Sequence, residues 1–212
     1  MVDPQNRLLS RGPGFRLSAE AIRDQSLVVS GLLTRAPGGP SVMPPQPPGV
    51  WKSTYSALQW EDASGPNRFR RALYTYWKRT SPHPAMTTFD VGSAEVCQIR
   101  RVRTNTPLQA LVTLNDPAYV EAAGALSQAA GHAGRDASDQ IRHMFRRVLI
   151  RPPTPRETTR LDALYESLRT DFESNGTAAN EWLHSAGLNE GDAAMVGVAS
   201  VLLNLDETLM KP

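Results

Sequence analysis

Four times along this chain an aspartate or a threonine is followed at once by proline: Asp3-Pro4, Thr106-Pro107, Asp116-Pro117 and Thr154-Pro155. Each pair fits the start of an α-helix. The polar side chain can accept from a free backbone N–H of the first turn. Proline sits where its missing N–H costs nothing and its fixed φ suits the helix. Thr106 and Thr154 are also followed, three residues after the cap, by Gln109 and Glu157, the spacing of a capping box. The run TPLQALVTL therefore predicts a short helix from Thr106, ended near Asn115, with Asp116 capping the next.

Apolar periodicity supports the same fold class. Ile141, Met144, Phe145, Val148 and Leu149 recur at helical spacing, as do Leu161, Leu164, Tyr165, Leu168 and Phe172. Met195, Val198, Ala199, Leu202 and Leu203 form a third such stripe. Ile22, Val29 and Leu33 mark a helix that starts near Ser18. After Pro117 the stripe is Ala122, Ala123, Leu126, Ala129 and Ala130, small enough to let a neighbouring helix approach closely. Residues 36–66 are too rich in proline and glycine to be helix or central strand. Their apolar residues, Trp51 and Trp60 among them, favour a loop wrapped over the helices rather than a linker. Alternation in RRALYTYWKRT predicts a short strand, with MTTFDV at 86–91 as its partner. The expected fold is mainly α, one domain over residues 1–212, with a long Pro/Gly-rich wrapped loop and a small two-stranded β element near residues 71–90.

Composition narrows the function classes without choosing one. Of 212 residues 40% are hydrophobic, which allows a real core, and the net charge of +2 gives no case for nucleic acid. Charge is uneven: residues 68–103 carry eight basic and two acidic side chains, while residues 154–212 carry four basic and ten acidic ones. These regions could attract each other, or the basic one could face an anionic partner. Cys97 is the single cysteine, so no disulfide within the chain and no zinc-site spacing exist. No apolar run is long enough to span a membrane. The first residues have no apolar signal-peptide core.

The blocks DPQNRLLSR, LSAEAIRDQSLVVSG, GGPSVMPPQPPGVW, RFRRALYTYWKRTSPHPAMTTFDVGSAEVCQIRRVRTNTPLQALVTLNDPAYVEAA, IRHMFRRVLIRPPTPRE and VASVLLNLDETLMK occur in order from residue 3 to about 211. In them the chain resembles the planctomycete secreted domain one family. The resemblance implies the C-terminal part of a large secreted or periplasmic bacterial protein. A second family-specific domain would precede it, often with a c-type cytochrome module further upstream. It implies no assigned function and no known catalytic residues. It also implies helical sequence before Asp3, so the chain is expected to be the C-terminal portion of a longer domain.

No Cys-x-x-Cys-His is present, so the chain itself is expected to hold no haem, and histidine spacings suggest no metal site. His83, between two prolines, reads as exposed loop; His143 reads as a residue at the edge of an apolar stripe, and His132 and His184 carry no motif. The arginines Arg100, Arg101 and Arg103 run into Thr104, Asn105 and Thr106 at a helix start. Together these six could bind an anion, because guanidinium groups and free N–H groups both favour one. Alternatively the arginines hold the loop through carbonyls and through acids such as Glu20, Asp24 or Asp90. Cys97, Asp90 and Asp116 are secondary candidates. Cys97 is either a thiol activated by Arg100 and Arg101 in a helix capped by Ser93, or a small buried side chain. Trp51, Tyr55, Trp60, Phe69, Tyr74, Tyr76 and Trp77 form a second core or, if exposed, a sugar platform. Asn175-Gly176-Thr177 reads as a turn after a helix. Two functions remain open. One is a scaffold that binds an anionic ligand, anionic polysaccharide included, or an upstream domain of the same polypeptide. The other is one wall of an extracellular enzyme acting on polysaccharide or in cytochrome-linked redox chemistry.

Overall fold

The computed structural model describes residues 3, 5, 7–9, 12, 14–51, 58–92 and 96–211. Helices dominate: α1 (Ala19–Ser30), α2 (Pro84–Thr88), α3 (Pro107–Asn115), α4 (Pro117–Gly131), α5 (Ala137–Leu149), α6 (Pro155–Ser174), α7 (Gly176–Ser185), α8 (Ala193–Leu203) and α9 (Asp206–Leu209). The mainly α reading stands. Capping residues set the helix starts. Thr154 Oγ1 accepts from Glu157 N while Glu157 answers with its carboxylate, a complete capping box. Thr106 accepts from Gln109 N, and Asp116 ends α3 and caps α4, as the sequence indicates. Ser18 caps α1, and Asn175, read as a turn, caps α7. Leu33 falls beyond α1, because Gly31 at φ 86° stops the helix first. At the N-terminus the Asp3 carboxylate accepts from the backbone N–H of Arg7 and Leu8 in a turn; Pro4 lies outside the described residues.

Helix α8 is the centre of the main core. Its sequence AAMVGVASVLL is apolar on every face, so it can be stable in water only if other helices surround it. α4, α5, α6 and α7 do so, burying Leu126, Ile141, Met144, Phe145, Val196 and Leu202. Two helix glycines permit close approaches in this core. A Cβ on Gly124 of α4 would lie 2.4 Å from the Ala186 carbonyl oxygen, and one on Gly197 of α8 would lie 2.7 Å from Leu168 Cδ1. A smaller core under α1 joins Ile22, Ala72, Met86, Phe89, Tyr119 and Leu209.

The Pro/Gly-rich segment is a wrapped loop, pinned by side chains because it has few regular backbone bonds. Arg70 is its main anchor. The guanidinium donates to the carbonyls of Pro40 (2.7 Å), Ala36 (3.3 Å) and Gly38 and lies 3.7 Å from the Tyr74 ring centroid. Trp60 Nε1 donates to Pro44 O at 3.1 Å, and Trp51 Nε1 to Ser81 O at 2.7 Å. The Trp51 and Trp60 rings lie 5.3 Å apart, and Trp60 also packs on Tyr76. Trp51 is buried, while Trp60, Phe69, Tyr74, Tyr76 and Trp77 are half-buried; Tyr55 lies outside the described residues.

The β element is elsewhere than expected. Residues 72–74 form a 3-10 turn, and 84–88 form α2. Pro84 at the first helical position starts a helix, and the backbone at Tyr74 and Tyr76 bonds Val42 instead of a hairpin partner. The two-stranded sheet joins β1 (Phe15–Arg16) and β2 (Met210–Lys211), antiparallel, with Phe15 opposite Lys211 and Arg16 opposite Met210. Among the described residues no helix is long and apolar enough to cross a membrane.

Candidate functional site

Residues 96–105 form a strap with no helix or strand of its own. Side chains hold it down. Asp90, at φ 60°, aims its carboxylate at Thr104, accepting from Thr104 N at 2.7 Å and Thr104 Oγ1 at 2.8 Å. Aspartate tolerates this left-handed backbone better than most side chains. Arg101 donates to both Glu20 oxygens, at 2.7 and 3.0 Å. Burial raises the Glu20 carboxyl, but the Arg101 hydrogen bond and other donors outweigh it and hold it below its usual value. Arg103 donates to Arg16 O at 2.5 Å and stacks on Phe15, and Asn105 Nδ2 donates to Asp206 Oδ1 at 3.3 Å.

The strap and β1 enclose a cleft of about 1010 Å³ lined by Arg16, Arg100, Arg101, Arg103, Ile99 and Val102, with Thr104 and Asn105 at one end. Five of the six primary candidates therefore share one cleft, and Thr106 stands just outside it as the α3 cap. Arg101 and Arg103 are engaged by the fold, and Arg16 is shared with Asp206 at 3.3 Å. Arg100 differs: its exposed guanidinium has no partner among the described residues. Beside it Ile99 and Val102 are exposed at 108% and 75%.

The secondary candidates separate. Asp90 anchors the strap. Cys97 is exposed and lies in no helix, contrary to its reading as a small buried side chain; the expected Ser93 cap lies outside the described residues. Asp116 is buried elsewhere, beside Arg23 and Tyr119 at the start of α4. Burial pushes its carboxyl up to about 6. Burial likewise raises the Tyr119 hydroxyl.

His83 corrects its sequence reading most sharply. It is 4% exposed, packs 5.3 Å from the Trp60 ring, and has both ring nitrogens unpartnered among the described residues. Burial, with the Arg23 charge nearby, lowers its imidazole to about 4. The loop folds back over it, which two flanking prolines do not announce. Gln109 also departs from its expected role. Its side chain does not complete a capping box but donates to Thr88 O (2.9 Å), Thr104 Oγ1 (3.1 Å) and Asp90 Oδ2 (3.3 Å). Sequence reasoning missed Arg16 and Phe15, because pairing residue 15 with residue 211 leaves no local signal.

The ion pairs seen from the basic stretch 68–103 among the described residues go to acids of α1 and α4: Arg68 with Glu121, Arg71 with Asp24 and Arg101 with Glu20. Among the described residues no group of three or more His, Cys, Asp or Glu gathers as metal ligands would. No curated protein and no solved protein structure matches the chain. The model of one family matches residues 1–165, well over half of the sequence, and the chain belongs to that family: PSD1, proteins of unknown function (DUF1553).

Proposed function

We propose that this chain is a non-catalytic binding domain that docks an acidic, apolar-punctuated segment of a partner domain in the strap cleft. The observation that carries this is Arg100, an exposed cation with no partner among the described residues, in a cleft whose lining also includes the exposed Ile99 and Val102. Free cations beside exposed apolar groups suit a peptide carrying both carboxylates and aliphatic side chains. A small anion would leave the apolar groups in water. The described lining of the cleft includes four arginines and no carboxylate. That supports binding over acid–base chemistry, since Asp90 is spent on Thr104 and Asp116 lies elsewhere. The secreted or periplasmic setting, with an upstream domain of the same polypeptide as partner and any haem confined to a domain further upstream, rests on the family resemblance and belongs to the same proposal.

The test is fluorescence anisotropy with a labelled nine-residue peptide of alternating Glu and Leu, against a Lys–Leu control. Saturable binding of the acidic peptide alone, lost in Arg100→Glu and weakened about tenfold in Ile99→Ser, is expected. Equal binding by wild type and Arg100→Glu refutes the reading.

A further inference from the structure

A second basic cleft lies on α5, away from the strap. Residues 132–153 carry five arginines against two aspartates. Arg135 from the α4–α5 connection and Arg142, His143, Arg146 and Arg147 from α5 line a depression of about 750 Å³. Pro152 and Pro153 form its other wall. They reach it because α5 ends at Ile150 in a left-handed turn, φ 63°, which bends the chain back. A β-branched residue is a poor choice there and is 85% exposed, so no core packing offsets the strain.

Among the described residues, only two of the lining arginines are engaged by the protein itself. Arg147 donates to Val29 O and Arg142 pairs with Asp139, the only acid among the described lining residues. The side chains of Arg135, His143 and Arg146 have no partner among the described residues. The helix dipole favours Arg146 and Arg147 in the last turn of α5 but opposes Arg135 beside its first turn. Like charges gathered in a concavity with a single counter-charge among its described residues repel, and a bound anion relieves that. The lining differs from the strap cleft in having no large exposed aliphatic side chain, so it suits a compact anion rather than a peptide.

We propose that the α5 cleft is a binding site for a compact, multiply charged oxyanion, of the kind presented by an oligophosphate or by a sulfated oligosaccharide. Arg135 and Arg146 are the primary contacts, through charge-assisted and bidentate hydrogen bonds to tetrahedral oxyanion groups. Arg142 turns from Asp139 to the ligand.

Calorimetric titration of the chain at 150 mM salt tests this, with inorganic tripolyphosphate and a fully sulfated tetrasaccharide as separate probes. Saturable binding of at least one probe is expected, and the tighter one identifies the source. Arg135→Gln combined with Arg146→Gln should weaken it about 30-fold without lowering the melting temperature of the unliganded chain, since both side chains are free. Asp139→Asn, which removes the one acid among the described lining residues, should tighten it several-fold. Arg100→Gln should leave it unchanged, which separates this site from the strap cleft. No saturable binding of either probe, or binding insensitive to the double substitution, overturns the proposal.

Discussion

Two buried groups of opposite charge type, His83 and Asp116, both feel the charge of Arg23, and their titrations oppose one another. His83 holds its neutral form to about pH 4, against 6.5 for an ordinary imidazole. Below pH 6.5 the unfolded chain takes up a proton that the folded chain refuses, so stability falls as pH drops towards 4. The gap between 6.5 and about 4 corresponds to about 3 kcal/mol, at about 1.36 kcal/mol for each pH unit. Asp116 behaves in the reverse sense. Between pH 3.8 and about 6 its folded carboxyl stays protonated while the unfolded one ionises, so stability falls as pH rises, again by about 3 kcal/mol. Arg23 acts on both groups, Tyr119 and Glu121 act with Asp116, Asp24 acts on Arg23, and all four are common to every variant. The two slopes nearly cancel in the wild type between pH 4 and 6.5. Urea unfolding followed by far-UV circular dichroism across that window should expose them singly. Asp116→Asn can still cap α4. It removes the falling contribution, so its stability should rise by about 3 kcal/mol from pH 4 to 6.5 relative to wild type. His83→Gln should show the opposite slope, also about 3 kcal/mol. Glu20, Glu157 and Glu207, all held below their usual values, add the same acid-side slope to every variant and drop out of the comparison. If both variants keep the wild-type slope, burial does not govern these two groups and the reasoning fails.

Gly124→Ala should destabilise the chain although alanine is the better helix former, because the new methyl would sit 2.4 Å from the Ala186 carbonyl oxygen. Overpacking less the propensity gain leaves about 2 kcal/mol, or a fall of about 4–8 °C in melting temperature by differential scanning calorimetry. Ile150→Gly should stabilise by about 1 kcal/mol in chemical denaturation, because glycine adopts the φ of 63° without strain and the lost side chain is 85% exposed. A net loss of stability there would mean that the isoleucine packs in solution.

Helix identity and helix starts were legible in the sequence because they are local. Thr106, Asp116 and Thr154 each cap a helix whose first turn lies within the next three residues, and a stripe such as Ile141 to Leu149 needs only its own periodicity to declare a buried face. The stripe from Met195 to Leu203 likewise declares a helix, but that other helices surround it was decided by the fold. The strap cleft was half legible: Arg100, Arg101 and Arg103 stand together in the chain, so their proximity needed no folding. What each arginine does was decided by tertiary structure. Glu20, Arg16 and Asp206 reach the strap from the two ends of the described chain, and no spacing encodes that. The same holds for the sheet, where two-residue strands about 195 positions apart pair because Ile22 of α1 and Leu209 of α9 are buried in the same small core and Leu17 N donates to Leu209 O. The burial of His83, the exposure of Cys97 and the redirection of Gln109 from its cap to Asp90 follow from where the wrapped loop and strap settle. Hydrogen bonds along a helix are fixed by neighbours in sequence, whereas burial and charge pairing are fixed by neighbours in space.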